Sequence, residues 1–285
     1  MIPTVIAKII SMQPNFTMSE NEISQYVINN TESVISSTIT TIAKETNTSE
    51  ASINRFCKKM GYKGFNSFKI ALMQENFYNN MKQQNTYNAN EGLIESITAD
   101  YRQMLINTSA MMSEENIIEA VEYIKSAKNI HIFALSNSAF LASELEFKLR
   151  VLGISAKAHT DVFDMHISAI NISPKDVAII IAPTILMRDI YQCLTTCHEK
   201  GAKIISISSY DSSKLNDFVN VKFITSDKIT AKNSISLSNN LMYLYVLDLI
   251  YSALLKSDKS LREKKLNSDS VLNSHQTIDN NILEY

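Results

Sequence analysis

The sequence predicts a two-domain α plus α/β chain, a small all-α domain followed by an α/β parallel-sheet sandwich. Three observations predict it. Residues 1–77 carry apolar residues at helical spacing, residues 78–90 (YNNMKQQNTYNAN) have no apolar period, and beyond them short apolar runs alternate with helical segments. The expected boundaries are 1–77 for the helical domain, 78–90 for a linker rich in Asn and Gln, 91–256 for the sheet domain, and 257–285 for a polar tail expected to be mobile. A chain of 285 residues with 45% hydrophobic content is long enough to bury two cores.

In the first domain, Val5, Ile6, Ile9 and Ile10 form one stripe, and Ser19 with Glu22 offers a capping box ahead of Ile23, Tyr26, Val27 and Ile28. Ile39, Ile42 and Ala43 then share one face of a short helix, and Asn47 and Thr48 supply a polar turn. Ser49 is a good N-cap for the next helix, because its hydroxyl can accept from an orphan N–H of the first turn. In that helix Ile53, Phe56 and Met60 sit at i, i+3 and i+7 as a buried stripe, and Gly61 ends it. Ser52, Asn54, Arg55, Lys58 and Lys59 occupy the other face.

A short helix, a tight turn and a helix with an apolar back and a basic front make a helix-turn-helix, whose second helix enters the DNA major groove. From Ala51 to Gln74 there are five bases and no acid, the one-sided patch that phosphate contacts need. The candidate DNA-binding residues are Ser49, Ser52, Asn54, Arg55, Lys58, Lys59, Lys63 and Lys69. Asn54 and Arg55 have the chemistry for bidentate base contacts, and the lysines suit phosphates. A surface hairpin with a solvated basic face would share the periodicity; the charge placement favours operator DNA as partner.

The totals exclude several classes. A formal net charge of −2 means that nucleic-acid affinity must come from the local patch. Three cysteines, Cys57, Cys193 and Cys197, make no disulfide framework, and no secretory pattern opens the chain. The apolar runs Val177 to Ala182 and Leu241 to Leu255 are too short or too interrupted to span a bilayer. The expectation is a reduced cytoplasmic protein with no membrane partner.

The second domain opens with helices over residues 91–126. Strands are then expected at Ile130–Leu135, Ser155–Ala158, Val177–Ala182, Lys203–Ile207 and Val221–Ile224. Helices are expected at Ser138–Leu152, Val162–Ile170, Leu186–Lys200 and Ile235–Leu255. This alternation implies βαβ units and a parallel sheet covered on both faces, with a ligand beyond the carboxyl ends of the strands. The loops at 134–138, 182–187 and 208–213 are the ones such a ligand would meet.

Both halves resemble the RpiR-type bacterial transcriptional regulators, which join a helix-turn-helix domain to a sugar isomerase (SIS) domain. The resemblance runs from about Ser19 to Leu255, and ASINRFCKKMGYKGFNSFK, Ala51 to Lys69, is its most specific stretch. IHIFALSNSAFLASELEFKLRVLG (Ile130 to Gly153), DVAIIIAPTILMRDI (Asp176 to Ile190) and LMYLYVLDLIYSALL (Leu241 to Leu255) carry it through the SIS-like domain. It implies a regulator of carbohydrate metabolism genes, not an enzyme and without a cofactor. The SIS-like domain would sense a sugar phosphate or related metabolite, or mediate dimerisation. Paired half-sites imply a homodimer or a higher homo-oligomer.

The departures from that family bear on the effector. Its G-x-G-x-S turn reads Ala134, Leu135, Ser136, Asn137 and Ser138 here, without either glycine. Its S-x-S-G-x-T phosphate loop reads Ala182, Pro183, Thr184, Ile185, Leu186 and Met187. A phosphate cradle needs backbone N–H groups and small residues, whereas Pro183 has no N–H and Ile185 resists positive φ. Ser136, Ser138, Thr184, Ser208 and Ser213 remain as the effector candidates. A less anionic effector or a pocket closed by side chains is therefore expected. A SIS enzyme and a ligand-free interaction module are the alternatives.

Other chemistries fit less well. Cys193 and Cys197, four apart beside His198, lack further metal ligands and read as buried apolar thiols. His131 reads as a half-buried strand histidine. The cluster His159, Asp161, Asp164 and His166 is explained by helix capping at Thr160 or Asp161. No catalytic or metal residue is assigned.

Overall fold

The computed structural model describes residues 4–84 and 92–276, with side chains over 4–77 and 92–271. Six helices lead: α1 (Val5–Met12), α2 (Met18–Asn29), α3 (Thr31–Ser36), α4 (Ile39–Glu45), α5 (Glu50–Lys59) and α6 (Phe65–Gln84). Their apolar stripes meet in one core that includes Ile9, Ile23, Val27, Ile42, Ile53, Phe56, Met60, Phe68 and Leu72. Polar caps set the starts. The capping box lies at Thr17 and Glu20 rather than Ser19 and Glu22: Thr17 N–H donates to Glu20 Oε2 at 2.8 Å and Glu20 N–H to Thr17 Oγ1 at 3.3 Å. Thr38 caps α4, accepting the Thr41 N–H. α6 runs through Phe77 to Gln84, so the expected boundary falls inside a helix, while residues 85–90 of the expected linker lie outside the described residues.

The remaining elements are α7 (Leu93–Met111), α8 (Glu114–Ser126), β1 (Ile130–Ala134), α9 (Ala139–Val151), β2 (Ala156–His159) and α10 (Val162–Asn171). They continue with β3 (Val177–Ile181), α11 (Arg188–Glu199), β4 (Lys203–Ser208), β5 (Val221–Ile224), α12 (Asn240–Ser257) and α13 (Lys259–Gln276). Of the expected tail, Lys259–Gln276 is helical, with Leu261 buried and Ser268 Oγ donating to Val151 O at 3.0 Å, and residues 277–285 lie outside the described residues. The helix expected from Ile235 begins only at Asn240.

The sheet has the order β2-β1-β3-β4-β5, and β2, β1, β3 and β4 pair in parallel. Every residue of β3 is buried, as a central parallel strand covered on both faces requires. In this order the chain turns back between β1 and β3, so that crevice is the topological switch point where doubly wound sheets bind ligands.

Ser206, inside β4, is 1% exposed and its Oγ has no protein partner among the described residues. Burying a hydroxyl without a bond is costly, so Ser206→Ala should stabilise the chain by about 1 kcal/mol. The check is a higher urea midpoint at unchanged slope; a lower midpoint would contradict it.

The described residues cluster into two compact units. One combines residues to 112 with 208–217 and 223–242, and the other holds 113–207, 218–222 and the chain from 243.

Candidate DNA interface and carboxyl-edge loops

The basic helix α5 is fixed from behind and at both ends. Ile53, Phe56 and Cys57 are buried, and the Phe56 ring meets Phe16 at 5.4 Å and Phe68 at 6.0 Å, both edge to face. Ser49 Oγ accepts the Ser52 N–H at 3.1 Å, as a helix N-cap does. Asn47 takes φ 49° in the turn before it, and Gly61 takes φ 88° after it, a left-handed stop that glycine enters without steric cost. Thr40 Oγ1 donates to Glu50 Oε1 at 2.6 Å, tying α4 to the start of α5.

The eight candidate DNA residues divide by what they touch. Ser49, Arg55, Lys58 and Lys63 are exposed, and Arg55 Nη2 donates to Ser52 Oγ at 3.1 Å, which holds the guanidinium along the outer face. Ser52 is half-buried beside the cap. Asn54 Oδ1 accepts the Phe65 N–H at 3.1 Å, so its carbonyl is engaged at the start of α6. Lys69 Nζ donates to Ser37 O at 2.8 Å. Lys59 Nζ donates to Asn15 O at 2.6 Å and pairs with Glu20 at 2.8 Å. Burial pushes the Glu20 carboxyl up, but Lys59 and the Thr17 N–H outweigh it and hold it below the ordinary value. A cavity of about 440 Å³ opens beside α5, lined by Ile39, Asn54, Lys63, Gly64, Phe65, Asn66 and Ser67.

Sequence reasoning missed two residues that hold this domain in place. Glu75, on α6 and 5% exposed, accepts N–H bonds from Val5 at 2.7 Å and Ile6 at 3.3 Å, capping α1 across the domain. Asn15, in the 3₁₀ turn Gln13–Asn15, uses its side chain on backbone of the loop after β4. A lone Glu in an otherwise apolar helical stretch was the available signal for the first; nothing local marked the second.

At the carboxyl edge, Ser136 and Ser138 follow β1 and Thr184 follows β3, on the two strands that flank the switch point. Ser136 is exposed at φ 55°, in the position where the resembled turn has glycine, so the left-handed turn survives with a side chain in it. Ser138 is buried at the start of α9. Thr184 Oγ1 accepts the Leu186 N–H at 3.3 Å, and Ile185 is buried while Leu186 and Met187 stay partly exposed. α11 begins at Arg188 with no side-chain cap on its first turn. Ser208 and Ser213 belong to the other compact unit. Ser208 Oγ donates to Tyr210 O at 3.1 Å, and Ser213, exposed, gives its N–H to Asn15 Oδ1 at 2.7 Å.

The histidine cluster is a packed ladder across β1 and β2. His131 Nδ1 lies 3.1 Å from His159 Nε2, and His159 Nδ1 lies 2.8 Å from Asp164 Oδ2. Burial pushes both imidazoles below their ordinary value. Asp161 caps α10, accepting from Phe163 and Asp164. Cys193 and Cys197 are both fully buried on α11, and the Cys193 thiol is pushed up by its bond to Cys197 and by burial.

A basic helix-turn-helix joined to a doubly wound sheet defines a DNA-binding regulator with a ligand-sensing class of domain. The chain belongs to the RpiR-type transcriptional regulators: residues 4–80 match the helix-turn-helix domain of the rpiR family and residues 123–253 match the SIS domain. It is 26% identical over 250 residues to an uncharacterised HTH-type transcriptional regulator of Caldanaerobacter subterraneus, spanning 87% of this chain and 89% of that protein. It is 26% identical over 209 residues to the HTH-type transcriptional regulator HexR of Escherichia coli K12, spanning 72% of each. The Vibrio vulnificus NanR protein, solved with ManNAc-6P, shares the fold at a TM-score of 0.60 and 18% identity, with 96% of this chain and 99% of that one aligned. No described helix is long and apolar enough to cross a membrane.

Proposed function

We propose that this regulator reads operator DNA with the outer face of α5, its N-cap and the loop after it, using Ser49, Ser52 and Arg55 toward the bases and Lys58 and Lys63 toward phosphates. The observation that carries this reading is the acid-free run from Ala51 to Gln74, with Arg55, Lys58 and Lys63 exposed opposite the buried Ile53, Phe56 and Cys57. Lys59, Lys69 and Asn54 act here by holding the domain together, since each has an internal partner. The two-fold symmetry of paired half-sites favours a homodimer, and the regulator names of its relatives favour a non-enzymatic role.

Arg55→Ala should weaken binding to a selected operator by about 1–3 kcal/mol, and Lys58→Ala should lower the slope of log affinity against log salt by about 1. Fluorescence anisotropy across a salt series checks both. An Arg55→Ala variant with wild-type affinity and intact fold would remove this face from the interface.

For the sheet domain, the reading is a sugar-derived effector near Ser136, Ser138 and Thr184 at the switch point; Ser208 and Ser213, on the loop after β4, are the candidates of the other compact unit. Pro183 has no N–H to give and the Leu186 N–H of the same loop is already taken by Thr184 Oγ1, which supports an effector held with less weight on a phosphate. ManNAc-6P, the sugar phosphate in the NanR complex, is the natural probe. Its binding at micromolar affinity, measured by calorimetry, would overturn the less anionic reading.

A further inference from the structure

Segment Ser11–Asn15 holds the loop after β4 by its backbone. Asp211 N–H donates to Ser11 O at 2.8 Å, Asn15 Nδ2 donates to Asp211 O at 3.3 Å, and Ser213 N–H donates to Asn15 Oδ1 at 2.7 Å. The other side of Asn15 faces the recognition helix: its carbonyl accepts from Lys59 Nζ at 2.6 Å, in the last turn of α5. Lys59 also pairs with Glu20, and its ammonium lies 5.4 Å over the Phe16 ring, which itself packs on Phe56. One residue thus bonds both to the loop that carries Ser213 and to the helix that carries Arg55 and Lys58.

We propose that Asn15 is the positioning residue through which the loop after β4 sets the state of the recognition helix. The proposal rests on the reading of α5 as the DNA-reading helix and of that loop as effector-facing. The Ser213 N–H has one strong acceptor at a time. An oxygen of a sugar or phosphate that takes this N–H displaces Asn15 Oδ1, and the freed Asn15 no longer fixes the carbonyl that anchors Lys59. Such a ligand has different affinities for the clasped and released states, which is the condition for it to shift their populations. The coupling runs through a contiguous chain of bonds with two discrete arrangements.

The loop side of the clasp can be cut without touching the helical domain. Ser213 opens the 3₁₀ turn Ser213–Leu215, and Ser212 before it has φ −140° and ψ 130°. Proline is tolerated at a first helical position and prefers an extended residue ahead of it, so Ser213→Pro removes the N–H and little else. Two readouts apply to the full-length chain: amide exchange across residues 50–62, and affinity for a DNA fragment selected by the wild type at fixed salt. Expected are at least fivefold faster exchange in Ser213→Pro and at least a fivefold change in DNA affinity. Asn15→Ala should match both, and the double variant should add little, as one shared link requires. Unchanged exchange and unchanged affinity in Ser213→Pro would overturn the clasp. Faster exchange in a chain that does not bind DNA would leave the clasp standing and sink the DNA reading instead.

Discussion

Phe56→Ala is expected to unfold the helical domain under conditions where Phe77→Ala leaves it intact. Phe56 is fully buried on the inner face of α5, and its ring makes edge-to-face pairs with Phe16 and Phe68. Truncating a buried Phe to Ala costs about 3–5 kcal/mol, to which lost aromatic pairs add about 0.5–1.5 kcal/mol each. Small domains hold about 5–15 kcal/mol in total, so most of the margin goes. Operator affinity should fall with it, because Arg55 and Lys58 are presented only when the back of α5 is packed. Phe77, on α6, is 64% exposed, and its truncation should stay within about 0.5 kcal/mol. Chemical denaturation of both variants, followed by circular dichroism, makes the comparison. Equal costs for the two would mean that the core is not centred on Phe56.

Glu75→Gln should remove a pH dependence from the same domain. Burial pushes the Glu75 carboxyl up to about 7 from an ordinary 4.5, against the pull of the Ile6 and Val5 N–H bonds. Tyr62 is pushed up as well, by burial and then by the charge on Glu75. Between these two values the folded chain binds more protons than the unfolded one, so stability falls as pH rises from about 4.5 to about 7 and is level above. The span is worth about 3 kcal/mol. Glutamine stays neutral throughout and can still accept from the first turn of α1. Relative to wild type, Glu75→Gln should therefore gain about 3 kcal/mol between pH 5 and pH 8. Taking the difference at each pH isolates this carboxyl from His131 and His159, whose lowered values act in the opposite sense. A constant difference across that range would show that Glu75 does not titrate there.

Much of the architecture was legible in the chain because it rests on periods and caps. The 3.6-residue spacing of Ile53, Phe56 and Met60, the Ser49 cap and the Gly61 stop located α5 closely, since each is a property of neighbours in sequence. The apolar runs of the sheet were legible for the same reason, although β2 lies one residue later than expected and ends at His159. The charge asymmetry of residues 51–74 marked the basic face without coordinates. By contrast, a polar stretch such as the one after Lys256 looks alike whether it is solvated coil or a helix packed by a few residues, and the contacts of Leu261 and Ser268 decided that.

The sequence by itself determined which helix is basic, where the strands lie and which loops carry hydroxyls, because those follow from residue type and spacing. Only the tertiary structure decided which of the cations and amides are spent inside the protein. Lys59, Lys69 and Asn54 have the same chemistry as free DNA contacts, and their partners Asn15, Ser37 and Phe65 lie between 11 and 44 residues away. The strand order that sets the switch point between β1 and β3, and the meeting of Asn15 with Ser213 across 198 residues, are likewise set by packing. A hydrogen bond depends on distance in space, and separation along the chain carries no record of it.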